Sequence, residues 1–113
     1  MPSTERVEQF IHAVRHEDHP SVIANFYHQD ASMQENLNDA RRGLDALIEF
    51  EKNAMANLEA MEAEPVETFL VDGERVAIHW NFVATFPDGS KRRLIEVALQ
   101  QWRGDKIAEE RFF

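Results

Sequence analysis

The sequence predicts an α+β fold in which helices pack on one side of a curved antiparallel sheet. Three features point there: apolar residues recur at helical spacing through 7–61, the pattern changes to alternation after Pro65, and glycine-bearing turn signals then divide the chain into strands. With 113 residues, 43% hydrophobic and 29% charged, the chain is expected to be one globular domain, residues 1–113.

Ser3 or Thr4 can cap a first helix, with Glu5 and Glu8 near its positive end and Val7, Phe10, Ile11 and Val14 on its apolar face. The stretch "HEDHP" ends it, and Pro20 opens a shorter helix through "SVIANFYH". A short strand is expected at "ASMQEN". From Gly43, "LDALIEFEKNAMANLEAMEAE" reads as one long amphipathic helix with Leu44, Leu47, Ile48, Met55, Leu58 and Met61 on its stripe, stopped by Pro65. Four strands follow as a meander: "VETFLV", "RVAIHWNFVATF", "RRLIEVALQQW" and "KIAEERFF", separated at Asp72-Gly73, Pro87-Asp88-Gly89 and Gly104-Asp105.

Composition excludes several function classes. The formal net charge of −9 argues against a nucleic-acid groove, since "KRR" at 91–93 is the only basic cluster. Without cysteine there is no thiol nucleophile, disulfide or thiolate metal site. No apolar run approaches the ~18 residues of a membrane span, and no signal-like segment opens the chain, so a cytoplasmic location and no membrane partner are expected.

Strand register decides which residues meet. If Asp88-Gly89 forms a two-residue turn, Pro87 pairs with Ser90, Asn81 faces Glu96, His79 faces Ala98 and Val83 faces Leu94. Similar pairing about Asp72-Gly73 sets Val66 opposite His79 and Thr68 opposite Ala77. One face then gathers His79, Asn81, Glu96 and Gln100 inside a ring of Val66, Thr68, Ala77, Val83, Leu94 and Ala98, while Val76, Ile78, Trp80, Phe82, Ile95, Val97 and Leu99 form the other. The mixed face is either solvated, as in many antiparallel sheets, or a pocket with an apolar rim and a polar centre.

The order of elements, together with "VIANFYHQDAS", "RRGLDALIEF" and the close "WRGDKIAEERFF", resembles the SnoaL-like branch of the nuclear-transport-factor-like superfamily across essentially the whole chain. The resemblance implies a cystatin-like α+β barrel: a cone-shaped, strongly curved antiparallel sheet with three helices on its concave face, whose interior is a ligand cavity. It makes the mixed face the pocket floor and implies a homodimer through the outer face, at Ile78, Trp80, Val97 and Leu99. A gapless comparison with the limonene-epoxide-hydrolase branch puts its acid/base arginine and aspartate on His79 and Asn81. Its water-orienting tyrosine, asparagine and second aspartate fall on Met33, Glu35 and Phe112, so that mechanism is rejected. Polyketide-cyclase and ketosteroid-isomerase-like relatives imply instead an inward carboxylate base. Glu96 and Glu35 are the candidates, with His79 and Asn81 beside them and Tyr27 as a hydroxyl donor. In the last strand, the family's three-residue loop would turn Glu110 and Phe112 inward, and a two-residue turn would select Glu109 and Arg111; Glu110 is preferred.

Two functions remain open at this level. One is a cofactor-free isomerase or cyclase acting on a small hydrophobic carbonyl compound. The other is a non-catalytic ligand-binding or dimerisation module. The histidines His12, His16 and His19 are expected on a solvated helix face, and a metal site from His79, Glu96 and Glu35 is the weaker reading. No metal or other cofactor is expected. Met55 and Met61 are read as core or cavity-lining groups.

Overall fold

Ser3 caps the first helix as expected, its hydroxyl accepting the Arg6 N–H at 3.0 Å, and α1 runs over Thr4–His16 in a computed structural model that describes residues 1–113. Asp18 caps α2 (His19–Phe26) by accepting the Ser21 N–H at 3.0 Å, with Pro20 in the first turn where no N–H is needed. The remaining elements are β1 (Tyr27–Glu35), β2 (Arg41–Arg42), α3 (Leu44–Ala56), β3 (Ala60–Ala63), β4 (Phe69–Asp72), β5 (Arg75–Thr85), β6 (Lys91–Arg103) and β7 (Lys106–Phe112). No helix is long and apolar enough to cross a membrane.

The fold class is the expected one: three helices on a curved, unclosed sheet. Strand order is β2-β1-β7-β6-β5-β3, with β4 also paired to β5, and β1 joins β7 in parallel while the other pairings are antiparallel. The helices bury Val7, Phe10, Ile11, Val22, Ile23, Phe26 and Leu47 against Val76, Ile78, Trp80, Phe82 and Ala98 of the sheet.

Three expectations are corrected. The third helix ends at Ala56 rather than near Glu64, because β5 needs a partner along residues 82–85 and Ala60–Ala63 supplies it as β3, reaching past β4. That pairing satisfies edge amides, which weighs more than the continued helical period of Leu58 and Met61. The strand at "ASMQEN" begins earlier, at Tyr27, and the one expected at "VETFLV" begins later, as β4 at Phe69, so Val66 precedes it.

The third correction changes the site. The β5–β6 turn has three residues, Pro87-Asp88-Gly89, not two: Phe86 N–H bonds to Ser90 O at 2.8 Å, and Gly89 takes φ +86°. Pro at the first turn position and a left-handed Gly at the third make a type I turn with a bulge. The extra residue slips the register by one. Trp80 now faces Glu96 and Phe82 faces Leu94, while Asn81 faces Ile95 and His79 faces Val97. Ile78 and Trp80, expected outside, are 0% and 2% exposed beneath the helices, and His79 and Asn81, expected inside, lie on the outer face.

Candidate functional site

Between the helices and the inner face of the sheet lies a cavity of about 360 Å³. Its walls come from nine elements, among them Phe10 of α1, Ile23 of α2, Met33 of β1, Met55 of α3, Trp80 of β5 and Leu94 of β6. They are mainly apolar, and the polar groups sit at two ends.

The closed end is a buried hydrogen-bond chain. Trp102 Nε1 donates to Gln100 Oε1 at 2.9 Å, which fixes the amide so that Gln100 Nε2 donates to Glu110 Oε2 at 2.6 Å. The Tyr27 hydroxyl donates to Glu110 Oε1. Tyr27 and Glu110 are each 3% exposed, and Gln100 and Trp102 are fully buried. Burial pushes the Glu110 carboxyl up to about 7, the two hydrogen bonds hold it back, and the charges of Glu96 and Glu51 add to the rise. Burial, then the Glu110 charge, lifts the Tyr27 phenol well above its ordinary value, so Tyr27 stays a neutral donor.

Glu110 faces inward despite a two-residue turn at Gly104-Asp105. Arg103 pairs with Lys106 and Trp102 with Ile107, but a bulge then makes Gln101 face Glu109 and Gln100 face Glu110. One extra residue on β7 exchanges the faces and brings Glu110 and Phe112 to the cavity.

The other end is more open and carries charge. Glu35 and Arg41 approach to 3.6 Å, and the Arg41 guanidinium lies 3.5 Å from the ring centre of Phe50, which is 42% exposed. The Arg41 Nε is buried without a hydrogen-bond partner. His19 Nδ1 lies 3.5 Å from Glu51, and its Nε2 contacts Val14 O at 3.1 Å. Burial opposes the imidazolium, but the hydrogen bond and charge of Glu51 outweigh it and raise the His19 value. Glu96 is half-buried, with its carboxyl raised by burial and by Glu35 and Glu51. The residue opposite Glu110 on β6 is Gln100, four residues from Glu96, so the two side chains leave the backbone at rows about 13 Å apart and converge on one cavity.

Of the residues the sequence singles out, Tyr27, Met33, Glu35, Leu94, Glu96, Glu110 and Phe112 line the cavity. Ala98 and Gln100 share the inner face, Gln100 acting through its bond to Glu110. Val66 packs against the core without lining the cavity, and Val83 lies on the outer face opposite Arg93. His79 is exposed there, so it cannot meet Glu96 and Glu35 as partner or metal ligand. Asn81 joins a surface cluster, donating to Glu64 at 3.1 Å and accepting from Arg93 at 2.6 Å. The inner positions of β5 nearest the expected pair are therefore Ile78, Trp80 and Phe82, and the gapless placement on His79 and Asn81 is off by one. Sequence reasoning missed Arg41, Phe50 and Glu51, and its placing of His19 on a solvated helix face is corrected, since His19 is half-buried in the cavity wall beside Glu51. For His19 the signal was its place beside Pro20 at a helix start, off the helix that carries His12 and His16.

A model of the SnoaL-like domain matches residues 7–110. No curated protein matches the sequence. Among solved structures, a Mesorhizobium loti protein provisionally named a SnoaL-like polyketide cyclase is 24% identical with TM-score 0.80, over 100% of this chain and 99% of its own. A cystatin-like-fold protein of unknown function from Xanthomonas campestris is 19% identical with TM-score 0.83, over 100% and 90%. TerC, co-crystallised with polyporic acid, is 18% identical with TM-score 0.78, over 96% and 88%. With a family model spanning nearly the whole fold and the same architecture in each of these structures, the chain belongs to the SnoaL-like domain family.

Proposed function

We propose that the chain binds a small, largely apolar molecule in this cavity and moves a proton on it without a cofactor, as an isomerase or cyclase of a carbonyl compound. The observation that carries this reading is Glu110: a carboxyl pushed up to about 7 at the closed end of an apolar cavity, with a neutral tyrosine hydroxyl on one of its oxygens. A base of that strength is matched to proton transfer near neutral pH. The cavity volume falls within the ~300–1,000 Å³ usual for small-molecule sites, and co-crystallisation of TerC with polyporic acid supports ligand binding on this architecture.

The chemistry balances without an outside reactant. The Glu110 carboxylate takes a proton from the carbon beside the carbonyl, and the C–H electron pair moves through the new C=C bond onto the carbonyl oxygen as an enolate. Once protonated, Glu110 no longer needs the Tyr27 hydrogen, and that hydroxyl can donate to the enolate oxygen. Return of the proton to a different carbon isomerises the ligand. Attack of the enolate carbon on a second carbonyl within the same molecule closes a ring instead, and the alkoxide so formed takes the proton back from Glu110.

Two assays test the proposal. Trp80 lines the cavity and Trp102 does not, so an entering ligand should change the emission of the wild type beyond that of a Trp80→Phe variant. Turnover of a panel of unsaturated ketones and polyketide-like diketones should be lost in Glu110→Gln with binding kept. Binding with no turnover in the wild type would make this a ligand-binding module. Turnover that survives Glu110→Gln would remove Glu110 from the mechanism.

The outer sheet face carries the partner proposal. Leu70, Ile95, Val97 and Leu99 are exposed there, with Ile95 at 61%, and the alternation of the last three along β6 makes a continuous apolar stripe. A second copy of the chain would cover it, through this set rather than through Ile78 and Trp80.

A further inference from the structure

We propose that the ligand is an organic cation: an apolar body bearing an amine or quaternary ammonium group, seated with its charge beside Glu96 and its apolar end toward Tyr27 and Glu110. This rests on the small-molecule reading above and specifies its chemistry.

The charge inventory of the cavity points this way. Four carboxylates line it, Glu35, Glu51, Glu96 and Glu110, against two cationic side chains, Arg41 and His19. Both cations have a carboxylate beside them, Arg41 with Glu35 at 3.6 Å and His19 with Glu51 at 3.5 Å, and only the Arg41 Nε is left without a hydrogen bond. Glu110 has hydrogen bonds on both oxygens. Glu96 alone has neither an ionic nor a hydrogen-bond partner, although it is half-buried in the wall. The Glu96 oxygens keep contact with the solvent-filled cavity, so a cation entering it meets a carboxylate that nothing in the chain pairs.

The surroundings of Glu96 suit an ammonium group more than a neutral donor. Its cross-strand neighbour on the inner face is Trp80, which stacks on Phe82 with ring centres 5.2 Å apart, and both rings line the cavity. Aromatic faces beside a carboxylate attract alkylammonium groups through the ring quadrupole as well as by charge. The cavity already holds one such contact of its own, the Arg41 guanidinium over Phe50 at 3.5 Å. Glu96 and Gln100, the β6 partner of Glu110, lie four residues apart on the same face of β6, so binding and proton transfer fall to different carboxyls of one cavity.

The dependence on pH has a definite sign. The titratable or charged groups facing Glu96 across the cavity are Tyr27 and Glu35 from β1, Arg41 from β2, His19 from α2, Glu51 from α3 and Glu110 from β7. The lining residues of α1, β3 and β5 are Phe10, Val14, Met61, Trp80 and Phe82, all uncharged. Raising the pH removes protons from Glu96, Glu110 and His19, and each loss makes the cavity more negative, so a cation should bind more tightly.

The decisive experiment is calorimetric titration of the full chain with (3-hydroxybenzyl)trimethylammonium and with its neutral isostere 3-neopentylphenol, near pH 5.5 and near pH 8. The expected result at pH 8 is about tenfold or greater preference for the cation, shrinking at the lower pH while the affinity for the phenol holds. Glu96→Gln should abolish most of the preference at pH 8 and leave the phenol unaffected. Equal affinity for the two probes at pH 8, or an undiminished preference in Glu96→Gln, would overturn the inference. Binding of the phenol alone would overturn it while sparing the apolar-ligand reading, and binding of neither would overturn both. If Glu96→Gln fails to fold, the wild-type comparison of the two probes still decides whether the ligand is a cation, and Glu96→Asp, which should weaken the preference without abolishing it, decides where its charge sits.

Discussion

Replacing Glu110 with glutamine should stabilise the protein, and should do so only where the carboxyl would be ionised. The folded chain holds this group at about 7 against an ordinary 4.5. Because the folded value is the higher one, the stability associated with Glu110 is fully present below 4.5 and is lost as the pH rises through about 7. At 1.36 kcal/mol per factor of ten in proton affinity, the loss is about 3 kcal/mol at pH 8 and less than about 1 kcal/mol near pH 5. Glutamine has nearly the same shape and keeps an oxygen for the Gln100 amide, while its NH₂ can donate to the Tyr27 oxygen. Urea unfolding at the two pH values is the assay. Glu110→Gln should exceed the wild type by about 3 kcal/mol at pH 8 and lie within about 1 kcal/mol of it near pH 5. Glu96 and His19 also have raised values and therefore give pH slopes of the same sign, but they are present in both proteins and cancel in the difference. A gap between the two proteins that stays constant from pH 5 to pH 8 would refute the reasoning, since Glu110 would then titrate as an ordinary carboxylate.

Tyr27→Phe removes a hydrogen bond that lowers the Glu110 value, so its carboxyl should titrate higher, and turnover should fall by about 10²–10³ with the loss of the donor to the enolate; the pH–rate profile reports both. Gln100→Leu leaves Trp102 Nε1 and one Glu110 oxygen without partners, and should cost about 1–3 kcal/mol in urea unfolding while also raising the Glu110 value. Trp80→Ala should cost about 3–5 kcal/mol and abolish ligand-induced fluorescence changes, because Trp80 is core and cavity wall. If it merely altered subunit association, the outer-face assignment of the sequence would be restored. Ile95→Asp should leave the fold and cavity intact and shift the sedimentation profile from dimer to monomer. A wild type that sediments as a monomer at micromolar concentration would contradict the proposed dimer.

The fold was legible because its signals are long and redundant. The helical period from Val7 to Val14 and the alternation from Val76 to Phe86 each repeat over several residues, and a misplaced end does not alter the class. The site depended on single residues. Reading Asp88-Gly89 as a two-residue turn exchanged the faces of β5 while leaving β6 correct, so Glu96, Ala98 and Gln100 were placed inside and Trp80 outside. Pro87 held the missing information, since its fixed φ suits the first position of a type I turn and is incompatible with the positive φ that a type I′ turn needs. At Asp72-Gly73 the turn is also displaced, to Gly73-Glu74, but the register moves by two, so β4 keeps its parity against β5 and its faces are exchanged along with those of β5. The β7 bulge has no local signal at all. It is set by Trp102 and Ile107, both fully buried, which demand the same side of the sheet as Gln100 and Glu110.

The closed end of the cavity also indicates why a polar chain stands where an apolar core would be simpler. Trp102, Gln100, Glu110 and Tyr27 form a buried network with each bond made, and such a network can often be replaced by well-packed hydrophobic residues without loss of stability. Glutamine at position 110 would satisfy both neighbours and remove the cost of about 3 kcal/mol at alkaline pH, a large share of the ~5–15 kcal/mol that holds a domain folded. What glutamine cannot supply is a proton acceptor of neutral strength. Under the proposed function the Gln100 amide, locked by the Trp102 indole, aims one Glu110 oxygen and tempers a value that burial alone would lift further, while Tyr27 does the same on the other oxygen. The two bonds thus tune and orient a single carboxyl, and only an ionisable group facing a cavity gains from being tuned.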